Sequence, residues 1–374
     1  MYAKKNLWKN VSQDQWEDWT WQLENSIESL DDLSKVISLT DEERQGISDA
    51  TEYLKMRISP HIANIMSFDD PTDTLRRQFI PSAKEVDSID DSSLYMDVNA
   101  DGRYSPMKGL VHRYPTKVLV FPSNFCGCYC RYCFRRKLKR DAEDLLTRQD
   151  YENIVGYLSA HSEVSEVIFS GGDPLVVPDS TIKEVLDKIA QIDHIKIVRF
   201  HTRMPITIPF RITDAFVAML FEFKKRFAIY FVLHIDTIRE LSDEAKLVVS
   251  KLVDNGIMCF ASCPLLNTIN ADEKTLFELW MGLVENRIKP YYLFHSDPVK
   301  GLRHFLVPLS RGLEITKNLY DRMSGLAMPL YCFNVPDGGG HVLITYPYIE
   351  KISDGHYKFT NFEGTVSEFY EPEM

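Results

Sequence analysis

The residues best suited to chemistry stand together in Asn124-Phe125-Cys126-Gly127-Cys128-Tyr129-Cys130-Arg131-Tyr132-Cys133, where Cys126, Cys130 and Cys133 have the spacing Cys-x3-Cys-x2-Cys. Three thiolates on one short loop can hold three irons of a [4Fe–4S] cube and leave the fourth iron open to an exogenous ligand. Cys128 opens a second reading, a zinc site with four thiolates, although zinc knuckles pair two separated Cys-x2-Cys halves and the sequence has no second half. A third reading makes these thiols structural and buried, which is also the expectation for Cys128, Cys259, Cys263 and Cys332. Four of the seven cysteines fall within eight residues, a ligand cluster and not a disulfide framework.

The loop follows an apolar run rich in β-formers, Lys117–Pro122. Similar runs recur at Glu166–Ser170, Ile195–His201, Ala228–Ile235, Ile257–Ser262 and Pro290–Ser296, with helical text between them. Continuous apolar strands that alternate with helices are parallel and covered on the outside, so the expected fold class is α/β, an open, partial (β/α)6 barrel. Chemistry in parallel barrels gathers at the C-terminal strand ends. There the sequence places the cysteine loop, then Gly171-Gly172-Asp173, Thr202-Arg203, His234 and Asp297. Ahead of the barrel, Asp14–Ile65 reads as helical, with Thr40 capping an acidic first turn, and Asp69–Arg113 as an irregular wrap. The expected organisation is an N-terminal helical segment and wrap over residues 1–113, a partial barrel over 114–300, and a C-terminal extension over 301–374 that closes the active site.

Composition narrows the function classes. With 374 residues, 44% hydrophobic and 26% charged, disordered and fibrous classes are excluded. A formal charge of −11 argues against a general grip on nucleic acid or anionic lipid, leaving a small molecule as the default partner. No apolar run approaches the roughly 20 residues of a membrane span, and the first residues lack a signal-peptide stretch, so a cytoplasmic location is expected.

The cysteine spacing after the first strand of a partial barrel resembles the radical S-adenosylmethionine (SAM) superfamily, whose open iron chelates the methionine end of SAM. Phe169-Ser170-Gly171-Gly172-Asp173-Pro174-Leu175 resembles the segment that receives the SAM amino group, with glycines that let backbone approach a ligand closely. The resemblance assigns Ser170, Gly171, Gly172, Asp173 and Arg203 to the cofactor side and His234 to the SAM adenine. More closely, the chain resembles the lysine 2,3-aminomutase family, through Trp16-Glu-Asp-Trp-Thr-Trp-Gln-Leu, His112-Arg-Tyr-Pro, Cys133-Phe-Arg-Arg, His201-Thr-Arg-Met-Pro, Lys289-Pro-Tyr-Tyr, Gly301-Leu-Arg-His-Phe and Asn361-Phe-Glu-Gly.

That resemblance breaks at positions tied to pyridoxal phosphate (PLP). The family carries PLP on a lysine after a glycine run. Here the text is Asn334-Val-Pro-Asp-Gly-Gly-Gly-His341, and an imidazole forms no stable imine with an aldehyde. The resemblance places Arg135 on a substrate carboxylate, and Asp297 with position 334 on the substrate's distal amine. Asn334 replaces the second carboxylate, which weakens the case for lysine itself. Phe294 stands where tyrosine is expected near the PLP ring, and Lys117 where arginine is usual. The tail ends at Glu371-Pro-Glu-Met, short of the family's cysteine-rich extension, so its structural zinc is expected to be absent. Blander readings stay open: His341 as a cap on the glycine turn, Asp297 as a helix N-terminal acid, Arg135–Arg140 as a solvated basic face, and His234 as a satisfied core histidine.

The expected function is reductive cleavage of SAM to a 5′-deoxyadenosyl radical and hydrogen abstraction from a small amino-acid-like substrate, by a PLP-independent relative of lysine 2,3-aminomutase. Two alternatives stay open. One is a PLP-dependent amino acid 2,3-aminomutase holding PLP non-covalently or on another lysine such as Lys300 or Lys351; the other is a degenerate, non-catalytic binding protein. The expected cofactors are a [4Fe–4S] cluster and SAM, with PLP in doubt. The family implies an electron donor such as flavodoxin or ferredoxin, and a homo-oligomer is left open.

Overall fold

Nine strands hydrogen-bond side by side in the order in which the chain lays them down: β1(Leu110–Tyr114), β2(Lys117–Ser123), β3(Glu166–Gly171), β4(Ile197–Thr202), β5(Ala228–His234), β6(Met258–Pro264), β7(Ile288–Phe294), β8(Leu330–Val335) and β9(Gly340–Leu343). This computed structural model describes residues 4–136, 145–361 and 363–371; Lys137, Lys139 and Arg140 of the basic run, Phe362 and the end of the tail lie outside them. Strands β2 to β8 are mutually parallel, and β1 and β9 add antiparallel edges. Among the described residues β1 and β9 do not pair, so the curled sheet is an open, partial barrel. Beyond the six expected strands, a seventh parallel strand, β8, continues the sheet after the helix Leu309–Leu319.

An aromatic ladder fixes the register. Phe169, Phe200 and Phe231 occupy matched positions of β3, β4 and β5, with ring centroids 5.1 and 5.2 Å apart. All three belong to the buried core under the helices. Because side chains alternate along a strand, the ladder turns the intervening Ser170, Arg199, His201 and Val232 toward the inside. The outer helices start on short polar caps: Thr147, Thr213, Ser242 and Asp272 each accept a hydrogen bond from a first-turn backbone N–H. Such a cap contributes about 1 kcal/mol.

The N-terminal text forms several short helices, Gln13–Glu17, Trp19–Glu24, Leu30–Ser34, Asp41–Ala50 and Pro60–Ile65. Asp18 ends one and caps the next, and Pro60 opens the last behind the Ser59 cap. They bury Trp8, Trp16, Leu33 and Ile58 in a second apolar cluster that also includes Cys128. This segment grips the cysteine loop: Tyr129 N–H donates to Arg57 O at 2.9 Å and Arg131 N–H to Gln78 O at 2.8 Å. Buried Glu85 pairs with both Arg131 at 2.7 Å and Arg136 at 2.6 Å. Arg136 is therefore buried and paired, against the solvated reading of its run. A separate antiparallel sheet, β10(Ile349–Ser353), β11(His356–Thr360) and β12(Val366–Tyr370), follows β9. No helix among the described residues is long and apolar enough to cross a membrane.

Candidate active site

A cavity of about 330 Å³ lies against the inner faces of the strands and the cysteine loop. Cys126, Cys130 and Cys133 line it and are half-buried free thiols. Cys128 borders it too, but its buried sulfur accepts a hydrogen bond from Ser59 N–H at 3.1 Å, and burial pushes its thiol pKa up. Among the described residues, three candidate ligand atoms within 4.8 Å of one another occur only at His112, His161 and Glu163, at the protein surface. The three loop thiols are not drawn together that closely, so the arrangement does not present a ready single-ion site.

The glycine pair brings β3 against this loop. Gly172 N–H donates to Ser123 O at 2.7 Å and Asp173 N–H to Phe125 O at 2.8 Å. A Cβ on Gly172 would run into Phe125 O and the Asn124 backbone, and Gly171 adopts φ +104°. Gly172→Ala is therefore expected to push the cysteine loop off β3 and lower iron bound per chain severalfold after anaerobic reconstitution; iron content equal to wild type would show that the loop does not need this contact. Asp173 is saturated from within: its carboxylate accepts from Thr202 Oγ1 at 2.7 Å and from the N–H groups of Arg203 at 2.7 Å and Leu175 at 3.0 Å.

Arg203 is likewise engaged. Its guanidinium donates to Cys130 Sγ at 2.6 Å, to Tyr132 Oη at 2.5 Å and to Glu240 at 2.6 Å, reaches Asp236 at 3.2 Å, and bonds Gln78. These partners hold the arginine charged and raise its pKa well above the ordinary value in spite of desolvation. His234 lines the cavity with Nε2 3.0 Å from Tyr132 Oη, its ring stacked on that tyrosine at 5.7 Å. Ser170 lines the cavity as well.

The other expected positions line the same space. Arg135 pairs with Asp101 at 2.9 Å and lies over the rings of Phe121 and Phe134. Asn334 Nδ2 donates to Asp297 Oδ1 at 3.0 Å, and the buried Asn334 Oδ1 has no partner. Burial pushes the Asp297 pKa up to about 6 against the Asn334 hydrogen bond and the nearby Arg135 charge. His341 pairs directly with Asn334 across β8 and β9, which puts both side chains on one face, and the His341 ring centroid lies 5.2 Å from that of Phe294. Desolvation, then Lys117, Arg113 and Arg135, lower the His341 pKa to about 4; its open side screens part of that effect, and the imidazole is neutral.

Sequence reasoning missed Gln78, Asp101, Asp236 and Glu240, which reach the site from distant parts of the chain. His201 was legible: it precedes Thr202-Arg203 at a strand end, and alternation points it inward. Its buried Nε2 lacks a partner. The lysine that lines the cavity among the described residues is Lys117; Lys300 and Lys351 do not. The residues present fit a cluster and SAM, but at the position expected to hold PLP covalently they do not fit that coenzyme.

Comparison with known proteins gives a consistent picture. A family model described as the Radical SAM superfamily matches residues 120–273. The chain is 33% identical over 371 residues to an L-lysine 2,3-aminomutase from Fusobacterium nucleatum, covering 99% of this chain and 86% of the relative. It is 34% identical to one from Clostridium subterminale, covering 98% and 87%. A glutamate 2,3-aminomutase from Clostridioides difficile is 31% identical, covering 96% of this chain and 83% of that one.

Proposed function

Because the chain belongs to the lysine 2,3-aminomutase family of radical SAM enzymes, we propose that it abstracts hydrogen from a small amino-acid-like substrate without covalently held PLP. A [4Fe–4S] cluster and SAM are its cofactors, and together they supply a 5′-deoxyadenosyl radical. The observation that carries the reading is an intact thiol loop on the wall of a cavity that presents His341 where the family carries its lysine.

In this reading Cys126, Cys130 and Cys133 hold the cluster, while Cys128 packs into the N-terminal core. Ser170, Gly171, Gly172 and His234 face SAM. Asp173 and Arg203 act as positioning residues, the first through backbone N–H groups and the second through Cys130 and Tyr132. Arg135, Asp297 and Asn334 receive the substrate, and the apolar walls Phe294, Leu302 and Phe305 exclude water from a reactive radical. Relatives named for lysine and for glutamate stand at 31% to 34% identity, so identity does not choose the substrate.

A substrate ammonium would pair with ionised Asp297. With that carboxyl titrating at about 6, affinity for an amine-bearing substrate is expected to fall as pH drops through about 6. Asp297→Asn is expected to flatten the dependence, and an unchanged pH profile in that variant would remove Asp297 from the substrate site. The proposal itself is tested by 5′-deoxyadenosine formation from SAM in reduced, cluster-loaded protein offered a panel of amino acids. The expected result is slow background formation and acceleration by the true substrate. Persistent absence of 5′-deoxyadenosine would favour a degenerate binding protein.

A further inference from the structure

The outer wall of the barrel carries a cluster that the cavity does not use. His112 lies on β1 between Val111 and Arg113, which line the cavity, so alternation turns its side chain to the opposite face. There it meets His161, the residue that ends the helix Arg148–Ala160, and Glu163, in the turn that leads to β3. One nitrogen of each imidazole and one carboxylate oxygen lie within 4.8 Å of one another. The register of β1, β2 and β3 sets this cluster near the N-terminal ends of the parallel strands, at the opposite end from the cysteine loop. His161 and Glu163 belong to none of the segments that carry the family resemblance.

The scaffold around the three side chains is already built. Tyr157 Oη lies 2.9 Å from His112 Nδ1, and the Tyr157 ring stacks on His161 with centroids 3.9 Å apart. Outer partners of this kind fix the orientation of imidazoles that ligate metals. The turn that carries Glu163 is pinned on its far side. Buried Val164 donates its N–H to His161 O at 3.0 Å, and the N–H groups of Ser165 and Glu166 donate to Thr116 O at 2.9 and 3.1 Å. Glu163 meets His161 Nδ1 at 2.7 Å and pairs with no lysine or arginine among the described residues, so its charge is open to a cation.

The distances suit one ion. Zinc sits about 2.0–2.2 Å from imidazole nitrogen and carboxylate oxygen, which sets ligand atoms roughly 3.0–3.5 Å apart. The widest gap here must close by about 1.5 Å at most, a movement that side-chain rotation supplies at His161 and Glu163, whose outer sides are open to solvent. Two imidazoles with one carboxylate select a borderline divalent ion over calcium or magnesium, which take oxygen donors.

We propose that His112, His161 and Glu163 bind a divalent transition-metal ion, zinc being the best match, with water completing the coordination sphere. The ion ties β1, the antiparallel edge of the sheet, to the end of the helix Arg148–Ala160 and to the entry of β3. Its role is to stabilise that edge, on the opposite face of β1 from the radical chemistry, so the inference stands independently of the proposed function.

The test uses the tag-free, cluster-loaded full chain under anaerobic conditions, with Zn2+ alone as the probe, read by calorimetry and by thermal unfolding. The expected result is one zinc per chain at micromolar affinity or tighter, and a higher unfolding midpoint with zinc than without. His161→Ala and Glu163→Gln are each expected to weaken zinc roughly tenfold or more and to abolish the zinc-dependent rise. Both are expected to leave 5′-deoxyadenosine formation unchanged. Glu163→Gln, at an exposed turn, keeps the chain folded if the helix end does not tolerate the histidine change. Because bare thiols also take zinc, the same substitutions are repeated in a chain that carries Cys126→Ala, Cys130→Ala and Cys133→Ala, where zinc binding is expected to persist and to depend on Glu163 as before. The site is overturned if the cluster-loaded chain binds no zinc at micromolar concentration, if both variants bind it as tightly as wild type, or if binding disappears with the three loop thiols.

Discussion

Cys130→Ala protein, reconstituted anaerobically, is expected to hold no intact [4Fe–4S] cluster and to form no measurable 5′-deoxyadenosine, whereas Cys128→Ala keeps both. The contrast follows from where the two sulfurs lie. Cys130 is half-buried on the cavity wall and receives a hydrogen bond from Arg203 at 2.6 Å. Cys128 is 4% exposed, within an apolar cluster built on Trp8, Trp16 and Ile58, and bonds to Ser59 N–H. Losing the Cys128 sulfur costs packing, on the order of 1 kcal/mol, without touching the cavity thiols. Cys126→Ala and Cys133→Ala are expected to behave like Cys130→Ala. Iron content and the visible absorption of the reconstituted variants decide the matter. A Cys128 variant without a cluster beside a Cys130 variant that keeps one would reverse the assignment.

The second large effect concerns the coenzyme. Wild-type protein saturated with PLP and treated with borohydride is expected to carry no pyridoxyl group, while His341→Lys provides the amine at the position where the family has one. An imine requires a primary amine in reach, and His341 provides an imidazole. Without a tether, PLP also loses the high local concentration that covalent attachment gives. Among the described residues the amine that lines the cavity is Lys117, packed over the Tyr114 ring. Peptide mass spectrometry locates any adduct. A pyridoxyl group on Lys117, Lys300 or Lys351, together with β-amino-acid product from lysine, would restore the aminomutase assignment in its usual form.

The strands were legible because each is a continuous apolar run that nothing else in a chain of this composition explains. Expected Lys117–Pro122 and Glu166–Ser170 differ from β2 and β3 by one residue at the C-terminal end. β8 escapes the pattern because Leu330–Val335 opens on an exposed residue and is interrupted by Asn334, which blunts the apolar signal. The helical stretch before the barrel broke into short helices because Asp18 and Ser59 cap locally where periodicity alone would run on.

The residues singled out for chemistry come together on one cavity, yet their partners were hidden. Asp101 meets Arg135, and Gln78 and Glu240 meet Arg203, through contacts that no local pattern encodes. Asp173 shows the converse limit. A carboxylate after two glycines reads as aimed at a ligand, but the turn that follows β4 supplies N–H groups that take up its oxygens. A sequence displays which side chains can react and, by alternation, which way they face. It does not display which of them the fold has already satisfied.

The measurement closest to the central claim is deuterium transfer from a labelled substrate into 5′-deoxyadenosine by reduced, cluster-loaded protein freed of PLP. The expected result is transfer at full rate in the absence of PLP, unchanged when PLP is added back. Transfer that is absent without PLP and appears on its addition would contradict the account.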